Sequence, residues 1–152
     1  MQSLTVPADL DSLDTITEYV QAAARQAGLS KKASYNLCLA VDEVATNIIN
    51  YGYTEQGLEG NLDLEVTISA QALYLSIQDD SHPYDLTGAA EPDLTLSLEQ
   101  RPIGGLGLFL ARRSVDKLSY QRLHNRNYTT FEVGRIVEIV EKIENLQTAL
   151  AS

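Results

Sequence analysis

Apolar residues recur at helical spacing in two stretches near the start of the chain. The first stretch predicts a helix over about residues 11–28, which Asp9 or Asp11 can cap. The second predicts a helix over about residues 31–51, with Ser30 as its N-cap. Its apolar stripe consists of Leu37, Val41, Val44 and Ile48. Each helix therefore has one face to bury against another layer of structure.

Alternation of apolar and polar residues predicts five strands. They cover about residues 2–6, 62–70, 73–78, 118–123 and 128–133. The last two form a hairpin around a turn at residues 124–127, and further helices are predicted over 108–115 and 135–150. This order of elements predicts an α+β fold, a two-layer α/β sandwich with helices on one face of a mixed, mostly antiparallel sheet.

Composition and charge narrow the classes of function. The 152 residues suffice for one domain with a sizeable core, and no apolar stretch is long enough to span a bilayer. The N-terminus lacks the features of a signal peptide and Cys38 is the only cysteine, which together favour a cytoplasmic location. The formal net charge of −10 disfavours binding to nucleic acid or to an anionic membrane, whereas a basic protein partner would be attracted.

Glu43 and Asn47 form the first segment with candidate chemistry. They lie four residues apart on the second predicted helix, so their side chains share one face, and Tyr51 continues the row. A carboxylate there can act as a general base, and an amide oxygen can coordinate Mg²⁺. Taken alone, such a pair more often belongs to a solvated polar face.

The second segment follows a predicted strand directly and begins at Asp79. An aspartate in a turn at a strand end can accept a hydrogen bond from an exocyclic amine, although Asp79, Asp80 and Ser81 also suit an ordinary turn. The spacing of Asp79, Asp80, His82 and Asp85 matches no strong pattern of metal ligands.

The third segment is a glycine cluster, and it consists of Gly104, Gly105, Leu106, Gly107 and Leu108. It lies where a long irregular stretch meets a predicted helix, and glycines there let the backbone N–H groups approach a phosphate. Neither Lys-Ser nor Lys-Thr follows, so it is not a Walker loop, and no strand precedes it as in a dinucleotide fingerprint.

The order of these three segments resembles that of the bacterial anti-sigma factor serine kinases, within the wider Bergerat-fold, histidine-kinase-like ATPases. The family's helix motif is matched by Glu43, Asn47 and Tyr53. The resemblance implies that Glu43 is the base for phosphoryl transfer and that Asn47 is a Mg²⁺ ligand. It also implies that the cofactors are ATP and Mg²⁺.

The other two family motifs are also present. The adenine motif is represented by Asp79, Ser81, Pro83, Tyr84 and Asp85, and the glycine motif by Gly104, Gly105, Gly107 and Leu108. The resemblance therefore implies a nucleotide site that consists of Asn47, Asp79, Ser81, Tyr84, Gly104, Gly105, Leu106, Gly107 and Leu108. In this site Asp79 would contact adenine.

Two positions depart from the family pattern. Tyr51 stands where the family has histidine, and Ser81 stands where the adenine motif has glycine. The added Cβ and hydroxyl of Ser81 could crowd the nucleotide, so weaker ATP binding is expected.

The chain divides into an ATPase domain over residues 1–134 and a C-terminal helix over 135–152. The apolar residues of that helix follow alternating three- and four-residue steps at Ile136, Ile139, Ile143, Leu146 and Leu150. The helix is expected either to pack on the domain or to form a homodimer contact.

Two functions compete. The first is an anti-sigma regulatory factor that binds a sigma factor and, as an ATP-dependent protein serine kinase, phosphorylates an antagonist of the STAS (sulfate-transporter-and-anti-sigma-antagonist) type. In that case residues 86–103 would form a lid, with Arg101 as a phosphate contact. The alternative, motivated by Ser81, is a catalytically weak or inactive nucleotide-binding module that sequesters a protein partner. A detached histidine-kinase domain is a third interpretation, disfavoured because no histidine-bearing helix precedes the site.

Overall fold

The computed structural model describes residues 1–84 and 105–151, with the backbone alone for residues 105–106 and 136–142. The helices are α1 (Leu13–Ala27), α2 (Lys31–Asn47), α3 (Gly105–Ser114) and α4 (Ile136–Ala151). The strands are β1 (Leu4–Pro7), β2 (Asn61–Ile68), β3 (Ala72–Asp79), β4 (Lys117–Leu123) and β5 (Arg126–Gly134). A 3₁₀ turn, Leu10–Ser12, precedes α1, and a π-helical segment, Ile48–Thr54, follows α2.

The predicted caps account for the ends of the first two helices. The Asp9 carboxylate accepts a hydrogen bond of 2.8 Å from the Asp11 backbone N–H and so starts the 3₁₀ turn before α1. Gly28 ends α1 with a left-handed φ of +70°. Ser30 Oγ accepts from the Ala33 N–H at 3.1 Å and caps α2, as the sequence predicted.

The second helix does not run unbroken to residue 51, as the sequence had indicated. Regular α-geometry ends at Asn47, and the chain continues as the π-helical segment, in which the Glu55 N–H bonds to the Asn50 carbonyl at 2.8 Å. Each hydrogen bond here spans five residues rather than four. The row of side chains four residues apart therefore stops at Asn47, and Tyr51 does not extend it.

The five described strands form one sheet in the order β1-β2-β3-β5-β4, and all four pairs are antiparallel. The α+β prediction is confirmed, but the expected parallel component is absent from the pairs within residues 1–84 and 105–151. The second hairpin turns on His124 and Asn125 alone, with φ of 52° and 61°. It is shorter than the predicted four-residue turn because a two-residue hairpin turn with both φ positive matches the twist of its strands.

One face of the sheet carries the core. Along β2, β3 and β5 every second side chain is buried, and the apolar ones among them form one cluster with apolar residues of α1, α2 and α3. The fully buried side chains include Leu37, Val41, Leu64, Leu75, Ile77 and Phe131. The helices therefore cover this face, and the polar ends of β3 and β5 reach the edge of the core.

The start of α4 is tied to the body of the protein through Arg135. Its Nε donates to the Ala27 carbonyl at 2.9 Å, and another guanidinium nitrogen donates to the Ser69 carbonyl at 2.7 Å. Beyond this anchor the described side chains of α4 are exposed; Ile143 is 49%, Leu146 63% and Leu150 86% exposed. No helix in the described part of the chain is long and apolar enough to cross a membrane.

Candidate nucleotide site

The last turn of α2 presents Glu43 and Asn47 together. Asn47 is only 6% exposed, and its Nδ2 donates to the Glu43 carbonyl at 2.7 Å. This bond fixes the amide plane, since the nitrogen is held by the helix backbone. Within the described residues no donor reaches the amide oxygen of Asn47, so that oxygen is available to a ligand.

Glu43 lies directly against Gly107 in the first turn of α3. A Cβ added at Gly107 would overlap the carboxylate of Glu43, with its Cδ only 2.9 Å away. A larger residue at position 107 would therefore displace the Glu43 carboxylate from the place it occupies. The contact joins the first and third predicted segments, which are far apart in sequence.

The glycine segment is only partly described. Gly105 begins α3, and Gly107 and Leu108 follow in its first turn, with Leu108 buried in the core at 5% exposure. Gly104, the side chain of Leu106 and the predicted contact residue Arg101 lie outside the described part. The first N–H groups of a helix lack intrahelical partners, so this turn can accept an anion.

Asp79 is the last residue of β3, and its side chain is 1% exposed. One carboxylate oxygen, Oδ1, accepts from the Ser81 N–H at 2.9 Å, from Asn127 Nδ2 at 3.0 Å and from the Ser81 hydroxyl. Among the residues whose side chains are described, none donates to Oδ2. A buried carboxylate with one saturated and one free oxygen is an acceptor for one further donor.

Asn127 lies opposite Asp79 on the neighbouring strand β5, and Arg122 lies opposite Asn127 on β4. The amide nitrogen of Asn127 also donates to the carbonyls of Ser81 and His82, at 3.1 and 3.0 Å. Its oxygen accepts from Arg122 at 2.9 Å and from the Tyr120 hydroxyl. The buried amide therefore holds the chain after β3 in place.

The side chain of Ser81 points into this network and is 4% exposed. It packs against Gly52 of the π-helical segment, where an added Cβ would lie 2.8 Å from the serine Oγ. The crowding that the sequence led us to expect from Ser81 is thus directed at residue 52, which is a glycine and leaves room for it.

The turn after Asp79 has two further supports. Tyr53, which is 2% exposed, accepts a hydrogen bond of 2.9 Å from the Asp80 N–H at its phenol oxygen. Burial raises the pKa of this phenol, and the nearby Asp79 and Asp80 carboxylates add to the rise. Arg126 bridges Asp80, at 2.9 Å, and Asp63. Burial by itself would lower the pKa of Arg126, but the two carboxylates raise it overall.

A cavity of about 420 Å³ opens next to Gly52, between the π-helical segment and residues 82–84. Its described lining consists of Tyr51, Gly52, Glu55, Gln56, His82, Pro83 and Tyr84. Burial and the proximity of Tyr51 raise the pKa of Tyr84, whose backbone N–H donates to the Tyr120 hydroxyl at 3.2 Å. The volume lies within the range of small-molecule sites.

Metal ligation by side chains alone finds no support in the described residues. They contain no group of three His, Cys, Asp or Glu side chains that could hold a metal ion. Asp85, one member of the cluster considered from the sequence, lies outside the described part of the chain.

Sequence reasoning missed several residues that build this site. The roles of Gly52, Arg122 and Arg126 were not predicted, nor was the burial of Thr129, which is 1% exposed. The alternation along β5 could have indicated that Asn127 and Thr129 face inward. They occupy every second position of the strand together with the buried Phe131 and Val133. Polar residues in an apolar phase of a strand are rarely buried without a partner.

The fold and the arrangement of these site residues define the class to which the protein belongs. Comparison with known families identifies the same class. The model of the histidine kinase-like ATPase domain matches residues 6–133. The chain therefore belongs to the histidine kinase-like ATPase domain family, and membership of an ATPase family implies the use of ATP.

Several kinases are similar to this chain. The serine/threonine-protein kinase BtrW of Bordetella bronchiseptica is 34% identical over 101 residues, which cover 66% of this chain and 70% of that protein. The serine-protein kinase RsbW of Halalkalibacterium halodurans is 25% identical over 119 residues, 76% of this chain and 72% of that protein. RsbW of Listeria monocytogenes is 28% identical over 124 residues, 78% of each chain. The resemblance to the anti-sigma factor serine/threonine kinase family is confirmed.

Proposed function

We propose that this protein is an anti-sigma regulatory factor that uses ATP to phosphorylate a serine of an antagonist protein. The observation that carries the proposal is the contact between Glu43 and Gly107. It sets a carboxylate beside the first turn of α3, where backbone N–H groups favour a phosphate. A base and a phosphate-binding turn are thereby adjacent.

The nucleotide would lie between the ends of β3 and α3. The free oxygen of Asp79 suits the exocyclic amine of adenine, and the cavity bounded by Tyr51 and Tyr84 has room for the base or the ribose. Gly105 and Gly107 would let the phosphates approach the helix backbone. Gly104 and Leu106 are assigned to the same site from the sequence.

The residues present fit a magnesium ion bound together with a nucleotide. Asn47 supplies a buried amide oxygen that has no described donor, and its nitrogen is held by the helix. Mg²⁺ commonly takes one or two protein ligands and completes its shell with phosphate oxygens and water. When bound, the ion would neutralise charge on the phosphates, and Asn47 would hold it.

In the proposed reaction Glu43 accepts the proton of the substrate serine hydroxyl. The serine oxygen forms a bond to the γ-phosphorus as the bond from that phosphorus to the β–γ bridging oxygen breaks, and ADP leaves. Catalysis of this kind depends mainly on positioning and charge neutralisation. Gly107 leaves space for the Glu43 carboxylate next to the first turn of α3.

The proposed partners are a sigma factor and an antagonist of the STAS type, so the output is regulation of transcription in the cytoplasm. The support is the confirmed family resemblance together with the motif order. The formal charge of −10 favours a partner with a basic docking surface. The lid over residues 86–103 and the role of Arg101 remain predictions from the sequence.

A labelled-phosphate assay tests the kinase proposal. The full chain is incubated with ATP labelled at the γ-phosphate, Mg²⁺ and the antagonist encoded nearest to it in its genome. We expect label on an antagonist serine and none above background for Glu43→Ala. Equal labelling by the wild type and Glu43→Ala would overturn the role of Glu43, and no transfer by the wild type would overturn the kinase function.

The alternative is a nucleotide-binding module that sequesters its partner with little or no phosphoryl transfer. It is motivated by the two departures from the family pattern, Ser81 in the adenine motif and Tyr51 in the helix motif. Calorimetry with Mg-ATP separates a competent site from an inert one. Micromolar binding that Asp79→Ala abolishes supports a working nucleotide site, and such binding without transfer of labelled phosphate is the result that this alternative predicts. Absence of binding by the wild type would contradict both the kinase and the nucleotide-binding module.

We further propose that α4 forms a homodimer contact. Its described apolar residues Ile143, Leu146 and Leu150 are largely exposed and lie on one seam. Glu138, Glu141 and Glu144 fall outside the a and d positions of that seam in the sequence. Two chains of charge −10 can therefore approach along the seam without placing these carboxylates at its centre.

A further inference from the structure

The side chain of Ser81 and the missing side chain of Gly52 occupy complementary space. A Cβ at position 52 would lie 2.8 Å from Ser81 Oγ and 2.9 Å from Ser81 Cβ. Real Cβ atoms do not approach other atoms this closely, so a side chain at 52 and a serine at 81 exclude each other. Gly52 has no positive φ, so its backbone would accept alanine if the space were free.

Ser81 also determines which oxygen of the Asp79 carboxylate is left to accept a hydrogen bond from a ligand. Its backbone N–H and its hydroxyl both donate to Oδ1 of Asp79, and Asn127 adds a third donor to the same oxygen. Because all three of these donors bind the same oxygen, the carboxylate of Asp79 is held in a single orientation. Oδ2, which receives no donor from the described residues, is left to face a ligand.

The network leaves little freedom for this arrangement to relax. Asp79, Ser81 and Asn127 are 1%, 4% and 2% exposed. Arg122 and the Tyr120 hydroxyl hold the amide oxygen of Asn127, which keeps its nitrogen directed at Asp79. Water therefore has little access with which to replace the serine hydroxyl if it is removed.

We propose that Ser81 is a positioning residue for base recognition: its hydroxyl, seated against Gly52, directs Oδ2 of Asp79 at the 6-amino group of an adenine nucleotide. This inference rests on the proposed nucleotide function. A carboxylate oxygen accepts from an amine and is repelled by the carbonyl oxygen of a 6-oxopurine. The serine therefore strengthens ATP binding, and the sign is opposite to the crowding expected from the sequence alone.

Calorimetry on the full chain tests the proposal with two probes, Mg-ATP and the Mg-triphosphate of purine riboside, which lacks the 6-amino group. Ser81→Ala removes one hydrogen bond, so its affinity for ATP should fall by roughly tenfold. Its affinity for purine riboside triphosphate should change by less than about twofold, because no amine is there to recognise. A purely structural role would weaken both probes equally.

The outcomes separate this inference from the nucleotide function. If the wild type binds neither probe, the nucleotide function fails and this proposal fails with it. If the wild type binds ATP and Ser81→Ala or Ser81→Gly binds it as tightly or more tightly, only the role of Ser81 is overturned. Equal losses for both probes also overturn it.

The substitution Gly52→Ala, made in two backgrounds, tests whether Ser81 packs against Gly52. Gly52→Ala in the wild-type background should lower both the melting temperature and the affinity for ATP, because the new Cβ displaces Ser81. In the Ser81→Gly background the same substitution should leave the melting temperature unchanged or raise it. Equal effects of Gly52→Ala in both backgrounds would overturn the seating of Ser81 on Gly52.

Discussion

The carboxylate of Glu43 on α2 lies beside Gly107 on α3, in the space that any larger residue at position 107 would fill. The contact connects the proposed base to the proposed phosphate-binding turn. It also makes the position of the base depend on a residue that carries no chemistry of its own.

The substitution Gly107→Ala should separate the effect of this contact on the free energy of unfolding from the effect of helix propensity. Alanine inside a helix is normally favoured over glycine by about 1 kcal/mol. In the wild-type background the new methyl group displaces the Glu43 carboxylate, so the gain in the free energy of unfolding should be smaller than helix propensity alone gives. Phosphoryl transfer should fall by about 10² or more, since small displacements of catalytic groups have effects of this size.

The matched control is the same substitution in a Glu43→Ala background. There the carboxylate is gone, so Gly107→Ala should raise the free energy of unfolding, measured in urea. Stabilisation of the same size in both backgrounds would contradict the contact.

Asn127 should be among the most sensitive polar residues for stability. Asn127→Ala removes one of the three donors to Asp79 Oδ1 and the amide donor to the carbonyls of Ser81 and His82, in a buried environment. A loss of about 2–4 kcal/mol in the free energy of unfolding is expected. Urea denaturation measures it, with the exposed Asn61→Ala as control, which should change stability by no more than about 0.5 kcal/mol. Similar losses for both variants would argue against the network.

The exposed seam of α4 predicts a change in molecular mass. A chain that ends at residue 135 should be a monomer where the full chain is a dimer, as measured by light scattering. Leu146→Lys should also shift the equilibrium toward monomer, because it places a charge on the seam. Thr148→Lys adds the same charge away from the seam and should leave the mass unchanged. A full chain that is already monomeric, or a truncation that leaves the mass unaltered, would contradict the dimer.

Tyr53 should contribute to the alkaline limit of stability. Burial raises its pKa above the ordinary tyrosine value of about 10, so the folded state favours the neutral phenol. Its contribution is complete below that value and is lost as the pH rises through the folded pKa. The free energy of unfolding should therefore fall less steeply above pH ~10 in Tyr53→Phe than in the wild type. Parallel pH profiles of the two proteins would rule this contribution out.

Much of the local structure could be predicted from the sequence, because its signals are local. The caps at Asp9 and Ser30 and the alternation in β2 and β3 depend on residues only a few positions apart. The π-helical segment after Asn47 could not be predicted, since no pattern of residues distinguishes it from a longer α-helix. The two-residue turn at His124 and Asn125 was missed because the strand it closes starts at Arg126, before its apolar residues begin.

The sequence by itself determined which residues are candidates for the chemistry and in what order they occur, because Glu43, Asn47, Asp79 and the glycines near 104–107 belong to motifs that are readable one segment at a time. The tertiary structure alone decided which of them meet. The contact of Glu43 with Gly107, the seating of Ser81 on Gly52 and the bond from Asn127 to Asp79 all join distant segments. Such contacts follow from the order of the strands and from the packing of α2 against α3. Neither is encoded in the periodicity of a single segment, because alternation specifies the face of a strand and not its neighbour.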